Sequence, residues 1–238
     1  MKIKTEPEVY IIGRPSFDYG NASIFLERNG LSNHMLEEMS GTDADNICEM
    51  STRLCYLAFE KGRDSKAFFE NIFEMEHTST IEHANWTLII AGVSRSFTHE
   101  LVRHRAGFSY SQLSQRYVDE SDVAFVMPPL IQDLGKDAQF YWEFNMKEAL
   151  ENYKTQIIVN IRHLKDSGLN KTERRKRARE AARSVLPNAT ETYIAVTANA
   201  RAWNWFIKLR GGAGADREMQ KVAAAVYEVL KHESEFLI

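Results

Sequence analysis

The order of helical and strand patterns along the chain constrains its fold more than any other feature. Long helical patterns dominate, and the few strand patterns are scattered between them. Strand and helix do not alternate regularly, and no G-x-G-x-x-G occurs, which argues against a Rossmann dinucleotide-binding fold. We therefore predict an α+β fold, a helix-rich single domain over residues 1–238 with a small, mostly antiparallel sheet.

Hydrophobic periodicity and capping residues predict the individual elements. The predicted strands cover residues 9–12, 86–93 and 192–197, with 117–127 extended, and residues 21–39 are predicted as a loop with a short helix. The predicted helices cover about 43–59, 64–74, 137–166, 171–185, 199–209 and 216–231. Asp43 or Asp45 is expected to cap the first of these. The predicted inward face of this helix comprises Ile47, Met50, Leu54, Leu57 and Ala58. The predicted inward face of the 137–166 helix comprises Phe140, Phe144, Leu150, Tyr153, Ile157 and Ile161.

Charge and cysteine content narrow the class of protein. The formal net charge is −3, yet the span from Arg162 to Arg183 carries +6, so the rest carries −9. A local basic surface on an acidic body favours a specific anionic ligand over bulk nucleic acid. The chain contains no run of 18 apolar residues and begins without an apolar signal core, so we expect neither a membrane span nor a secretory signal. Two cysteines seven residues apart, Cys48 and Cys55, fit a reduced cytoplasmic setting.

The segment from Arg103 to Arg116 is the strongest candidate for chemistry. We expect a helix that begins at Ser96 or Thr98, carries Arg103-His104-Arg105 and ends at Gly107. Consecutive residues on a helix point about 100° apart, so these three would face different ligands or different subunits. Guanidinium groups suit phosphates and heterocycle edges, and the hydroxyl- and amide-rich residues that follow suit a nucleotide base and sugar. The alternative is a solvated basic helix end followed by an ordinary polar turn.

Further basic residues recur later in the chain. Arg175, Arg179 and Arg183 are spaced i, i+4, i+8 on one helix side, and most of them are expected to be solvated. Arg201 and Arg210 lie near opposite ends of another predicted helix, where a cation at the C-terminal end is favoured by the helix dipole in any case. His77, Glu82, His83 and His104 lack the tight spacing of a known metal motif, so we predict no metal site.

Four ordered sequence blocks together resemble the flavin-dependent thymidylate synthase family. The hallmark is R-H-R, seven or eight residues, then Ser, which here is Arg103–Arg105, eight residues, then Ser114. The stretch F-S-Y-S-Q-L-S-Q-R-Y surrounds that serine. The other blocks are H-T-S-T-I-E-H at 77–83, A-A-R-S-V-L-P at 181–187, and N-A-R-A-W with F-I-K-L-R at 199–210.

The resemblance implies a fold of the thymidylate synthase-complementing type and a reaction. The family methylates dUMP to dTMP with carbon from 5,10-methylenetetrahydrofolate and hydride from NADPH through FAD, as a homotetramer with active sites at subunit interfaces. By motif position, FAD contacts are implied for Ser79, Arg103, His104, Arg105, Gln112, Asn199, Ala200, Arg201 and Trp205, with His77 near the flavin. By the same argument, dUMP contacts are implied for Glu100, Leu101, Val102, Arg103, Gln112, Leu113, Ser114, Gln115, Arg116, Arg183 and Arg210.

Within that resemblance, Arg210 matches the arginine that promotes ionisation of uracil N3, and we assign it the catalytic role. A positioning or activating role is implied for Ser114. Trp205 departs from the family pattern, since relatives often carry His or Asn there, and Gly211–Gly214 is richer in glycine than is usual. Two alternatives remain open: a nucleic-acid binder that uses the basic 162–183 segment, and a family member without activity.

Overall fold

The computed structural model describes residues 1–60 and 62–238. Six strands are present there, which are β1 (Lys2–Lys4), β2 (Glu8–Gly13), β3 (Asn85–Ser94), β4 (Phe108–Gln112), β5 (Ala124–Val126) and β6 (Glu191–Asn199). The helices of the same residues are α1 (Tyr19–Arg28), α2 (His34–Glu38), α3 (Asp43–Tyr56), α4 (Ser65–Glu74), α5 (Arg95–Leu101), α6 (Pro129–Asp133), α7 (Lys136–His163), α8 (Lys171–Ala182), α9 (Ala200–Arg210) and α10 (Arg217–Leu230). Short 3₁₀ helices cover Thr78–His83 and Arg183–Val185. The predicted α+β class is confirmed.

A four-stranded antiparallel sheet in the order β2-β3-β6-β4 forms the centre of the molecule. The strands β1 and β5 form a separate parallel pair. Along β3, the side chains of Trp86, Leu88 and Ile90 are fully buried, as expected where alternate residues of a strand face the core. The main core combines this face of the sheet with apolar residues of α9 and α10, among them Trp203 and Phe206. The sheet therefore gives α9 a rigid support.

Most predicted elements are confirmed to within a few residues, but the N-terminal part differs. Of the stretch 117–127, predicted to be extended, only Ala124–Val126 forms a strand. Residues 21–39, predicted mostly as loop, form the two helices α1 and α2. The helix α3 begins after Thr42, which forms a capping box with Asp45, so the capping residue is not an aspartate. The predicted apolar stripe of α3 is wrong, because Leu54 and Leu57 are exposed while Cys48 and the Glu49–Arg53 ion pair are buried.

Two further predictions fail for reasons of tertiary packing. Of the residues assigned to the inward face of α7, Leu150 and Tyr153 are buried, whereas Phe140 and Phe144 are exposed. The Arg103–Arg105 triplet is not helical, because α5 ends at Leu101 and the chain then turns. The first half of the predicted polar turn, Phe108–Gln112, is strand β4, which pairs with β6.

Candidate functional site

A cleft of about 1080 Å³ lies between three parts of the molecule. The turn after α5 forms one part, the region from the end of α4 through the Thr78–His83 helix the second, and the outer face of α9 the third. The volume is at the upper end of the usual range for small-molecule sites. The predicted site residues that line this cleft are Arg103, His104, Arg105, Asn199, Arg201, Trp205 and Arg210.

The helix α5 before the R-H-R turn and the glycine after the triplet both have fixed local geometry. Ser94 caps α5 by accepting a hydrogen bond from the Phe97 backbone N–H at 3.0 Å, and it is itself held by the Glu218 carboxylate. At the other end, Gly107 has φ +75°, a conformation that favours glycine. A Cβ at this position would lie 2.7 Å from Nδ2 of Asn199, so glycine also permits the close approach of the turn to the start of α9.

His104 and Arg210 form the central polar contact of the cleft. The Nε of Arg210 donates to Nε2 of His104 at 2.9 Å. Because an arginine can only donate, Nε2 must be the unprotonated ring nitrogen, and a neutral His104 carries its proton on Nδ1. Burial, reinforced by the nearby Arg210 charge, lowers the pKa of His104 below its ordinary value of 6.5. The imidazole therefore serves as an acceptor that orients the guanidinium near neutral pH.

The carboxylates of Glu100 and Glu82 contact three of the cleft arginines. Glu100 lies between two of them, at 3.5 Å from Nη1 of Arg103 and 3.5 Å from Nη2 of Arg210. Glu82, on the Thr78–His83 helix, accepts from Nη1 of Arg201 at 2.7 Å. Each arginine has five N–H donors, so these contacts leave other donors free to bind an anion. The cleft is thus a set of oriented guanidinium groups with several acids to hold them.

The helix α9 contributes the longest wall of the cleft. Asn199 caps it by accepting from the Ala202 backbone N–H at 2.9 Å, and the helix buries Trp203 and Phe206 against the sheet. The opposite face is left to the cleft, where Trp205 is 57% exposed. A half-exposed indole beside arginines offers a stacking surface for a planar ring.

Several predicted residues lie outside the cleft lining. The side chains of Leu101 and Ala200 are fully buried, and Val102 is exposed on the turn. Ser79 is exposed on the Thr78–His83 helix beside the cleft-lining Thr78. His77, adjacent to the same helix, contacts the hydroxyl of Tyr56 through Nδ1 at 3.1 Å.

A second group of predicted residues also lies outside the cleft lining, with Gln112–Arg116 at the end of β4 and just after it, and Arg183 in the short 3₁₀ helix after α8. Gln112 donates to Thr98 and Thr192, so its amide is engaged within the chain. Arg116 pairs with Glu180 of α8 at 3.0 Å. The remaining members are the half-buried Leu113 and Ser114, the buried Gln115, and the exposed Arg183. We call Gln112–Arg116 with Arg183 the outer cluster.

Sequence reasoning did not assign some residues that line the cleft. They are Phe73, Glu76, Thr78, Ile81, Glu82, Asn204, Lys208 and Leu209. Six of them fall within the motif blocks 77–83 and 199–210, so the blocks themselves held the available signal. Among the described residues, no three His, Cys, Asp or Glu side chains cluster as metal ligands do. The described helices also include none with the length and apolar run that a membrane span needs.

Comparison with known proteins is consistent along most of the chain. The model of a family described as thymidylate synthase complementing protein matches residues 34–234. A flavin-dependent thymidylate synthase of Mycolicibacterium vanbaalenii is 43% identical over 189 residues, which cover 76% of this chain and 74% of that protein. A flavin-dependent thymidylate synthase of Corynebacterium diphtheriae is 39% identical over 201 residues, which cover 83% of this chain and 79% of that protein. A third, of Mycobacterium tuberculosis, is 41% identical over 189 residues, which cover 76% of this chain and 74% of that protein.

Proposed function

The chain belongs to the thymidylate synthase complementing protein family, and on that premise we propose that it is a flavin-dependent thymidylate synthase. The proposed reaction converts dUMP to dTMP, with 5,10-methylenetetrahydrofolate as carbon donor and NADPH as reductant, and releases tetrahydrofolate. We take residues 1–238 as one catalytic domain. The observation that carries the proposal is the cleft in which Arg103, His104 and Arg210 meet. This cleft brings the R-H-R block and the 199–210 block to one place.

The residues of the cleft fit FAD. Its volume suits a large dinucleotide, and its lining supplies cations for the diphosphate together with Trp205 as a stacking surface. The proposed FAD-binding residues in the lining are Arg103, His104, Arg105, Asn199, Arg201 and Trp205. A bound flavin supplies the hydride transfer, while the protein provides orientation and electrostatics.

Arg210 is the proposed catalytic residue. A guanidinium beside N3 of uracil would favour the anionic form of the base and make C5 a better nucleophile. The half-buried position of Arg210 supports this role, because a charge acts more strongly where water is partly excluded. The His104 acceptor fixes its Nε and leaves Nη donors for a substrate.

The outer cluster is the proposed remainder of the dUMP site. Gln112, Ser114 and Arg116 belong to it with Arg183, and none of these four residues lines the cleft of the same chain. We propose a homotetramer in which the outer cluster of one subunit completes the cleft of another. Exposed apolar side chains on two helices support burial between copies, since large apolar patches mark interaction surfaces; they are Leu54, Tyr56, Leu57, Phe140, Tyr141 and Phe144.

The visible spectrum of the purified protein tests the proposal first. A flavoprotein is yellow, and we expect flavin absorbance that survives gel filtration or returns after addition of FAD. We then expect dTMP to form from dUMP only when methylenetetrahydrofolate and NADPH are both present. A protein that stays colourless with FAD, or that oxidises NADPH without forming dTMP under any condition, would contradict the proposal. Light scattering during gel filtration tests the tetramer separately.

A further inference from the structure

The hydroxyl of Tyr110 lies behind the R-H-R turn. It donates to the carbonyl oxygen of His104 at 2.6 Å and lies 3.0 Å from that of Leu101, so one proton is shared between the two acceptors. Tyr110 does not belong to the cleft lining, and a bound ligand would therefore meet the turn rather than this ring. The two carbonyls bracket Val102 and Arg103, so one side chain holds both ends of the turn.

The support behind that hydroxyl is rigid. Tyr110 lies on β4, where it pairs with Val196 of the central sheet, and its ring stacks on Phe108 at a centroid distance of 5.8 Å. The last carbonyls of a helix lack intrahelical partners, and Leu101 is the final residue of α5. The Leu101 carbonyl also accepts from the His104 backbone N–H at 3.0 Å, so the phenol adds a second donor there. At the His104 carbonyl, the phenol is the donor that satisfies a group in a partly buried place. Burial also raises the pKa of Tyr110, which keeps the hydroxyl protonated as a donor.

The turn connects this hydroxyl to two of the cleft arginines, Arg103 and Arg210. Arg103 lies between the two carbonyl acceptors, and His104, which provides one of them, accepts from Arg210 through its ring. A shift of the turn would move Arg103 directly and would break the geometry of the His104–Arg210 bond. We infer that Tyr110 is a positioning residue, whose hydroxyl fixes the turn that directs Arg103 and, through His104, Arg210 toward an anionic ligand.

Tyr110→Phe tests the inference, because it removes the hydroxyl and keeps the ring. Tyr153→Phe is the matched control, since Tyr153 is fully buried and its hydroxyl accepts from the Glu120 backbone N–H, away from the cleft lining. The ligand identity rests on the proposed function, so FAD is the probe. We expect FAD to bind Tyr110→Phe about tenfold more weakly than the parent, the order expected for loss of one buried hydrogen bond. The control should keep the parent affinity at a comparable loss of thermal stability.

A second measurement does not depend on FAD. The side-chain ¹⁵N shifts of His104 report whether Nε2 accepts a hydrogen bond, and we expect Tyr110→Phe alone to shift them in the ligand-free protein. Unchanged shifts and unchanged FAD affinity would overturn the inference, as would an equal effect in Tyr153→Phe. If the parent protein binds no FAD while Tyr110→Phe still changes the His104 shifts, the proposed function is refuted and the positioning role is supported.

A third variant guards against a folding defect. Incorporation of 2-fluorotyrosine at position 110, whose fluorine is not adjacent to the hydroxyl, keeps the ring and a phenol that stays protonated as a donor near neutral pH. We expect this protein to retain the parent FAD affinity and the parent His104 shifts. If it binds FAD as weakly as Tyr110→Phe, then the hydroxyl is not the group that matters, and the inference is wrong.

Discussion

Replacing His104 with phenylalanine would remove the acceptor that orients Arg210. The bond from Nε of Arg210 to Nε2 of His104 is 2.9 Å long, and the imidazole is buried between aromatic rings of Phe108 and Phe206. A phenyl ring fits such surroundings, so we expect the core to tolerate the change. Among the residues that the structure describes, Glu100 would then remain as the partner of the Arg210 guanidinium, at 3.5 Å.

The size of the effect follows from the charge on the donor. A hydrogen bond to a charged group contributes about 1.5 to 3 kcal/mol, which corresponds to about a 10- to 150-fold change in an equilibrium or a rate. Because Arg210 is proposed to act in the transition state, most of that loss should fall on kcat rather than on KM for dUMP. The expected decrease in kcat/KM is therefore about 10- to 150-fold, measured at saturating FAD because His104 is also a proposed FAD contact.

The acid side of the pH profile provides an independent check. The pKa of His104 is lowered in the folded protein, so the unfolded chain takes up this proton more readily. The stability contributed by neutral His104 is thus complete above about pH 6.5 and decreases as the pH falls below that value. Protonation would also abolish the acceptor for Arg210, so activity and stability should fall together in acid. His104→Phe should lose this component of the pH dependence.

His104→Gln is the matched control, because its amide oxygen can accept from Arg210 and does not titrate. Turnover of dUMP to dTMP, measured from pH 5 to 8, should place this variant between the parent and His104→Phe, without the acid limb due to His104. The reasoning would be refuted if His104→Phe keeps the parent kcat/KM. It would also be refuted if His104→Gln is as impaired as His104→Phe, since the acceptor would then not be the relevant feature.

Three further predictions concern stability and reactivity. Burial raises the pKa of Glu120 to about 7, so its charged form destabilises the fold by about 3 kcal/mol above that pH. Glu120→Gln should therefore raise the free energy of unfolding, measured in urea, at pH 8 but not at pH 4. The absence of a gain at pH 8 would contradict this. Gly107→Ala should destabilise the protein by about 1 to 3 kcal/mol, because φ is +75° and the new Cβ would meet Asn199; an unchanged urea midpoint would count against it. A thiol reagent should modify the exposed Cys55 quickly and the buried Cys48 only on unfolding, and rapid reaction of two thiols in the native protein would show the latter to be accessible.

Periodicity located most helices and strands because that signal is local. The helices α4, α7, α8, α9 and α10 end within a few residues of their predicted bounds, since each carries its own capping residue or breaker within one turn of its ends. The exposed side of α7 could not be predicted in the same way. Phe140 and Phe144 are as apolar as Leu150, and only the position of the neighbouring elements decides which of them is covered.

The candidate site shows the same division. The resemblance to the family, carried by ordered motif blocks, implied that Arg103, Arg201 and Arg210 belong to one site, and the cleft contains all three. The state of the R-H-R segment was predicted wrongly, because a helix pattern continues past Leu101 while the chain turns so that β4 can pair with β6. Pairing between strands more than eighty residues apart is not encoded in any local window.

The family and the α+β class follow from the sequence, which also predicts an anion-binding site, since these depend on contiguous blocks and on local hydrogen bonding. Only the tertiary structure decided how those residues are oriented. His104 accepts a hydrogen bond from Arg210, 106 positions away. Tyr110, on the sheet behind, binds the turn that carries His104. Such contacts depend on the direction and burial of each side chain, which arise only when the sheet and α9 pack together.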